Sequence, residues 1–192
     1  EILQKLTRRP SEADPMHARL SVQQLIQEAA EPHLGHRTKV VINTAAEDGA
    51  VEPARAEPIG QRRPGIIYGL GNLIENAVEF GESRVDITAR WTEKTVILTI
   101  ADDGPGFPAD IMESLGEPYV TTRPARAFGR VGSEPTGLGL GFFIAKTLIE
   151  RSGAEVELAN RVVPAHGAIV RITWARAQFE EMPAGAMPWS AG

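Results

Sequence analysis

The chain has 192 residues, 42% of them hydrophobic and 23% charged, with a net charge of −5, a pI near 5.5 and no cysteine. That is one domain of ordinary size with appendages, apolar enough to bury a core. The acidic balance argues against non-specific nucleic-acid binding, the lack of an apolar run of about 20 residues argues against a membrane span, and the lack of cysteine removes disulfides, thiolate zinc sites and thiol nucleophiles.

No signal-peptide pattern opens the chain, and its start at Glu1 reads as a segment of something longer, with a cytoplasmic location expected. "EILQKLTRRP" closes a helix, with Ile2, Leu3 and Leu6 on one face and Pro10 as the stop. "SEADP" is a short linker. "ARLSVQQLIQEAAEP" predicts a brief strand, a cap at Ser21 and an amphipathic helix built on Val22, Leu25, Ile26 and Ala29. "TKVVINTA" is a strand and "EDGAVEPARAEP" is polar and turn-rich. From Arg63 to Phe80 the pattern is helical. Ile66, Ile67, Leu70, Leu73, Ile74, Ala77 and Val78 form a wide apolar face, and Asn72, Asn76 and Glu79 form a stripe opposite.

Two strands follow, "SRVDITARW" and "TVILTIADD", joined by a turn at Thr92 to Lys94. "FPADIMESLG" is a short helix begun after Pro108. Residues 117 to 136 carry two glycines, three prolines and three arginines without a period, and read as a long functional loop. "GLGLGFFIAKTLIERSG" is a glycine-led helix capped at Gly153, and "AEVELAN" and "AIVRITWA" complete a strand pair. The tail after Arg176, residues 177 to 192, is rich in Ala, Pro and Gly and is expected to fray. The order of elements is α+β, with a mixed, mostly antiparallel sheet covered by helices on one face.

Three stretches carry chemistry. "ADDGPGF" ends a strand with Asp102, Asp103, Gly104, Pro105 and Gly106. An ordinary strand-end turn explains it about as well as a site in which a carboxylate accepts from a donor such as the exocyclic amine of adenine. "TGLGLGF" places Gly137, Gly139 and Gly141 at a helix start, where exposed N–H groups favour anions. It follows a loop and not a strand, so it is not a Rossmann fingerprint, and no P-loop occurs. Asn72 and Asn76 lie at i and i+4 of a helix although asparagine is a mediocre helix former. They are either a solvated face or neutral oxygen ligands of the kind magnesium accepts beside nucleotide phosphates.

Taken together, in this order and spacing, these stretches resemble the ATP-binding domain of sensor histidine kinases, in the superfamily that includes gyrase B, Hsp90 and MutL. "NLIENAVEF" looks like the N box, "DDGPGF" the first glycine-rich box, "EPYVTTR" the F box region and "TGLGLGFFIAKTL" the second glycine-rich box. The finer likeness, carried by "LGEPYVTTR" and "GFFIAKTLIERSGAEVELANR", is to the redox-responsive RegB/PrrB-type kinases. The resemblance implies a two-layer α/β sandwich of the Bergerat type over residues 18 to 176, with residues 117 to 136 as an ATP lid. Residues 1 to 17 would be the end of a dimerisation and phospho-acceptor helix plus a linker.

It further implies ATP and Mg2+ as ligands. Asp102 would hold the adenine amine, Asn76 would ligate magnesium, and Asn72 would lie near the phosphates. Gly104, Gly106, Thr122, Arg123, Gly137, Leu138, Gly139 and Leu140 would complete the nucleotide pocket. The implied partners are the chain's own phospho-acceptor hairpin, in a homodimer, and a response regulator, with no nucleic-acid or membrane contact by this segment. The four histidines, His17, His33, His36 and His166, lie outside any acceptor-helix pattern, which puts the phospho-acceptor upstream.

Departures from the family pattern keep other functions open. Glu79 stands where a basic residue is common, and Pro135 stands where glycine is common. ATP-hydrolysing relatives place a glutamate four residues before the metal-binding asparagine, a position held here by Asn72. The alternatives are such an ATPase, an anti-sigma-type serine kinase, or a nucleotide-binding scaffold without phosphoryl transfer.

Overall fold

The computed structural model describes residues 19–35, 37–115 and 140–181. β1 (Arg19–Ser21) runs directly into α1 (Val22–Ala30). Ser21 forms a capping box: its hydroxyl accepts from the Gln24 N–H while the Gln24 side chain accepts from the Ser21 N–H. A 3-10 turn at Glu31–His33 follows, then β2 (Lys39–Ala46), β3 (Ile59–Gln61) and α2 (Pro64–Phe80). Pro64 opens α2 at a position where a missing N–H costs nothing. β4 (Arg84–Trp91) and β5 (Thr95–Asp102) form the expected hairpin, with its turn over residues 92–94. α3 (Ala109–Leu115), α4 (Leu140–Arg151), β6 (Glu155–Asn160), β7 (Ala168–Ala175) and α5 (Arg176–Glu180) complete the described chain.

Five strands form one sheet in the order β2-β4-β5-β7-β6, parallel only between β2 and β4. β1 and β3 pair separately as an antiparallel ribbon. Alternation sorts the sheet's faces. Val85, Ile87, Ala89 and Trp91 of β4, Val96, Leu98 and Ile100 of β5, and Val170, Ile172 and Trp174 of β7 are buried in the same core as α1, α2 and α4. The register partners Thr88, Thr99 and Arg171 lie on the opposite, more exposed face. This is the expected mixed α+β architecture.

α2 packs against both α1 and α4. A glycine inside a helix is unfavourable by about 1 kcal/mol relative to alanine, yet Gly69 is required by the crossing with α4. A Cβ at Gly69 would fall 2.9 Å from Ile149 Cγ1 and 3.1 Å from the Ala145 carbonyl. Among the described residues no helix is long and apolar enough to cross a membrane.

The fraying expected from residue 177 does not begin there. Residues 176 to 180 are helical, and Phe179 is 7% exposed, with its ring edge-on to Trp174 at 5.6 Å. The Arg176 guanidinium donates to the carbonyls of Ala54 (3.1 Å), Thr92 (3.0 Å) and Ala56 (2.8 Å), so the turn-rich 47–58 segment and α5 fasten each other. One aromatic anchor and one buried arginine achieve this, and neither makes a periodic pattern. Residues 182–192, the 1–17 helix end and linker, and the 117–136 lid lie outside the described residues.

Phe179→Ala is expected to destabilise the fold by about 3 kcal/mol, as large-to-small core changes do. Urea unfolding should show a lower midpoint at unchanged slope. A tail that frays from residue 177 would leave the midpoint where it is.

Candidate functional site

The site begins with strand parity. On β5 the buried positions are Val96, Leu98, Ile100 and then Asp102, which is 4% exposed. A carboxyl group placed on a core face needs hydrogen-bond donors. Asp102 Oδ1 accepts from the Gly104 N–H at 2.8 Å and from the Ala168 N–H, at the start of β7, at 3.0 Å. Oδ2 has no partner among the described residues, and Asp102 lines an apolar cleft. Leu73, Asn76, Ala77 and Phe80 of α2 form one wall of that cleft. Ile100, residues 105–108, Phe142, Ala168 and Val170 form the rest. Phe107 and Phe142 meet edge to face at 5.8 Å. An apolar slot with an acceptor at its base suits a flat heterocycle carrying a donor.

The asparagines of α2 solve their helix problem by back-bonding. Asn72 Nδ2 donates to the Tyr68 carbonyl at 2.9 Å, and Asn76 Nδ2 donates to the Asn72 carbonyl at 2.7 Å. Each amide nitrogen is thereby held by the helix. Each amide oxygen accepts no hydrogen bond among the described residues. Asn76 lines the cleft. Asn72 lies one turn earlier, where its Oδ1 is 3.3 Å from a Cβ built at Gly141 in the first turn of α4. A free neutral oxygen fits magnesium, which takes few protein ligands when phosphates supply the rest. Among the described residues there is no cluster of three or more His, Cys, Asp or Glu able to form an all-protein metal cage. Glu75 and Glu79 are exposed on the same helix.

The structure thus brings Asn76, Asp102 and Gly106 to one cleft. Gly104 and Asn72 are not in its lining: Gly104 is bonded to Asp102, and Asn72 precedes Asn76 by one helical turn. α4 starts at Leu140, whereas Thr122, Arg123, Gly137, Leu138 and Gly139 lie outside the described residues.

Sequence reasoning missed what holds the 102–107 loop. Asp103 Oδ1 accepts from the N–H groups of Glu82 (2.9 Å), Ser83 (3.0 Å) and Arg84 (3.1 Å), and Oδ2 accepts from the Ser83 hydroxyl. Burial alone would raise its pKa. The hydrogen bonds, Ser83 foremost, outweigh that and hold the carboxyl well below the usual carboxylate range. Arg161 Nε donates to the Asp102 carbonyl at 2.7 Å, and His166 Nδ1 lies 3.0 Å from the Gly104 carbonyl. That contact, reinforced by the negative charge of Glu82, raises the His166 pKa. Asn160 bonds to Phe107 through both ends of its amide. No spacing rule could have paired residues more than fifty positions apart.

The chain's residues 62–178 match the family model described as histidine kinase-, DNA gyrase B-, and HSP90-like ATPase. The sensor histidine kinase RegB of Cereibacter sphaeroides is 41% identical over 160 residues, which is 79% of this chain and 34% of that protein. The sensor histidine kinase GtrS of Pseudomonas aeruginosa is 33% identical over 137 residues, 71% of this chain and 25% of that protein. The chain therefore spans about a third or less of the length of these relatives. Among solved structures, the mycobacterial sensor histidine kinase MprB superposes with a TM-score of 0.58 at 18% identity, covering 83% of this chain and 97% of that one. The histidine kinase domain of the E. coli osmosensor EnvZ gives a TM-score of 0.57 at 18% identity, covering 95% and 100%. These two likenesses concern the fold.

The depressed pKa of Asp103 has a pH signature. Its contribution to stability is fully present above the ordinary carboxyl range, near pH 4, and is lost as pH falls through the lower folded-state value. Asp103→Asn should therefore unfold at a lower temperature than the parent at pH 7, and the gap should begin to narrow as pH falls from about 5 toward 3. A gap that stays constant across that range would reject the clamp.

Proposed function

The chain belongs to the histidine kinase-, DNA gyrase B- and HSP90-like ATPase family, and from that premise we propose that it is the ATP-binding catalytic domain of a two-component sensor histidine kinase. In this reading it binds Mg–ATP and donates the γ-phosphoryl to a histidine on a separate helical hairpin, for relay to a response regulator. The observation that carries the reading is Asp102. One of its oxygens is pinned by two backbone N–H groups, the other accepts no hydrogen bond among the described residues, and the residue lines an apolar cleft.

Asp102 Oδ2 would accept from the adenine amine, with Phe107, Phe142 and Ile100 enclosing the ring. The Asn76 amide oxygen would hold magnesium, and Asn72 would lie toward the phosphates. When bound, magnesium supplies neutralisation of phosphate charge. The chain's own contribution is positioning: backbone N–H groups and two oriented amides present the nucleotide without rearrangement. Thr122, Arg123, Gly137, Leu138, Gly139 and Leu140 belong to the proposed pocket by resemblance.

Hydrolysis is the weaker reading. Asn72 occupies the position where ATP-hydrolysing relatives carry a water-activating glutamate, and its amide nitrogen is engaged by the Tyr68 carbonyl. A neutral amide cannot take a proton from water. The likeness to RegB suggests the same class of kinase for the longer protein from which such a domain would come.

Asp102→Asn is the informative substitution. The new amide can keep accepting from Gly104 and Ala168 while presenting an N–H donor to the cleft, facing another donor. ATP affinity should fall tenfold or more, since a hydrogen bond to a charged group contributes about 1.5–3 kcal/mol, with little change in unfolding midpoint. Calorimetry showing undiminished affinity would remove Asp102 from the site. Asn76→Ala should abolish the gain in ATP affinity on adding magnesium; a normal gain would point to another ligand. The chain alone should bind ATP without labelling itself from γ-labelled ATP, and should place acid-labile phosphate on a supplied upstream hairpin. Self-labelling of this chain would overturn the placement of the acceptor.

A further inference from the structure

The β6–β7 hairpin is fastened along the whole 102–107 loop. Arg161 donates from Nε to the Asp102 carbonyl at 2.7 Å, and its own N–H donates to the Gly167 carbonyl at 2.9 Å, closing the hairpin. Gly167 lies so close that a Cβ there would fall 2.0 Å from the Asp102 carbonyl oxygen. At the far end, Asn160 is the last residue of β6. Its Oδ1 accepts from the Phe107 N–H at 2.7 Å, and its Nδ2 donates to the Phe107 carbonyl at 3.0 Å.

A carboxamide that bonds both the N–H and the C=O of one residue acts as a substitute peptide group. It fixes that residue's backbone as a neighbouring strand would. Asn160 also accounts for Gly106. A Cβ at Gly106, where φ is +85°, would sit 2.7 Å from Asn160 Oδ1. Phe107, once fixed, sets its ring against Phe142 across the cleft.

We propose that Asn160 is a positioning residue for the nucleotide, holding Phe107 and hence the aromatic wall of the base slot at a set distance from Asp102. It does not touch the nucleotide, and it acts through the Phe107 backbone. The proposal rests on the reading of the cleft as an ATP site. Asn160 is exposed as a residue and contributes no apolar area to the core, so its demands are local to the loop. Arg161 and Ala168 hold the Asp102 end independently, which leaves that anchor in place when Asn160 is replaced.

The test measures ATP affinity by calorimetry, with and without magnesium, for the parent chain, Asn160→Ala and Asn160→Asp. The alanine variant should bind ATP about tenfold more weakly. The aspartate variant keeps the acceptor for the Phe107 N–H but loses the donor, and should fall in between. In both, the ratio of affinities with and without magnesium should equal the parent's, because the metal lies at the other end of the nucleotide. Undiminished affinity in both variants would overturn the positioning role. Loss of the magnesium ratio along with affinity would also overturn it, assigning Asn160 to general integrity of the domain. If the alanine variant does not fold, the nearly isosteric aspartate variant decides by the same two criteria. A parent chain that binds no ATP would instead refute the nucleotide reading itself.

Discussion

The buried carboxyl group of Asp102 is the constraint on which the rest depends. Strand alternation delivers it to the core face of β5 directly after Val96, Leu98 and Ile100. An unpaired polar group there would be costly, by an amount comparable to the stability of many small domains if fully charged and unsolvated. The chain offsets that cost with two backbone donors from different places. Gly104 comes from the turn just after the strand, and Ala168 comes from the start of β7. Each donor fixes something larger. The first requires a tight turn, with a Cβ at Gly104 falling 2.1 Å from the Phe80 carbonyl. The second locks the end of the β5–β7 register, where Ala101 faces Ile169. The same residue that would read the ligand thus organises the sheet end, the loop and the helix terminus around it.

What the sequence made legible follows the range of each signal. The face of α2 and the alternation of β4 and β5 repeat several times within one element, so they could be read directly. Asp102 stood out because it ends a recognisable strand and is followed by glycines, a pattern that an ordinary turn explains about as well; its burial among donors needed the assembled sheet. β3 has three residues and the turn at Glu31–His33 has three, too few for a period. α5 was misread as a frayed tail because its stability comes from Phe179 and Arg176 meeting distant partners, while its local composition is unremarkable. The partnership of Asn160 with Phe107 spans 53 positions and that of His166 with Gly104 spans 62, so both exist only once the sheet is assembled. The second aspartate illustrates the limit within the motif itself. "DD" reads as one acidic signal, yet Asp102 faces the cleft whereas Asp103 turns away to collect the N–H groups at the start of β4.

The two asparagines of α2 show how a locally unfavourable choice becomes consistent with the fold. Asparagine inside a helix competes for the backbone, and here the competition is resolved by bonds to the carbonyls four residues earlier. One N–H of each amide is engaged, which orients the group and leaves its oxygen without a hydrogen bond among the described residues. A carboxylate at the same positions would lack that back-bond, since it has no donor, and would bring negative charge toward bound phosphates. An amide therefore supplies an oriented oxygen without repulsion, which a metal shared with a triphosphate requires. Glu79, one turn after Asn76, runs against this charge logic; it is exposed, and nothing in the structure explains it.

These arrangements bear on how a domain of this kind would divide its work. The polar groups at the cleft are anchored through atoms other than those left for a ligand: Asp102 through Oδ1 by two backbone N–H groups, Asn76 through Nδ2 by a helix carbonyl, and the Phe107 backbone by the Asn160 side-chain amide. Groups held this way need little reorganisation when a ligand arrives, and preorganised dipoles are effective in an apolar slot. The two shifted groups near the loop are committed to backbone partners, His166 to the Gly104 carbonyl and Asp103 to the N–H groups of residues 82–84. In the proposed reading, where the nucleophile arrives on another element, such a cleft has only to present the nucleotide. Regulation can then act by moving that element and leave the cleft unchanged.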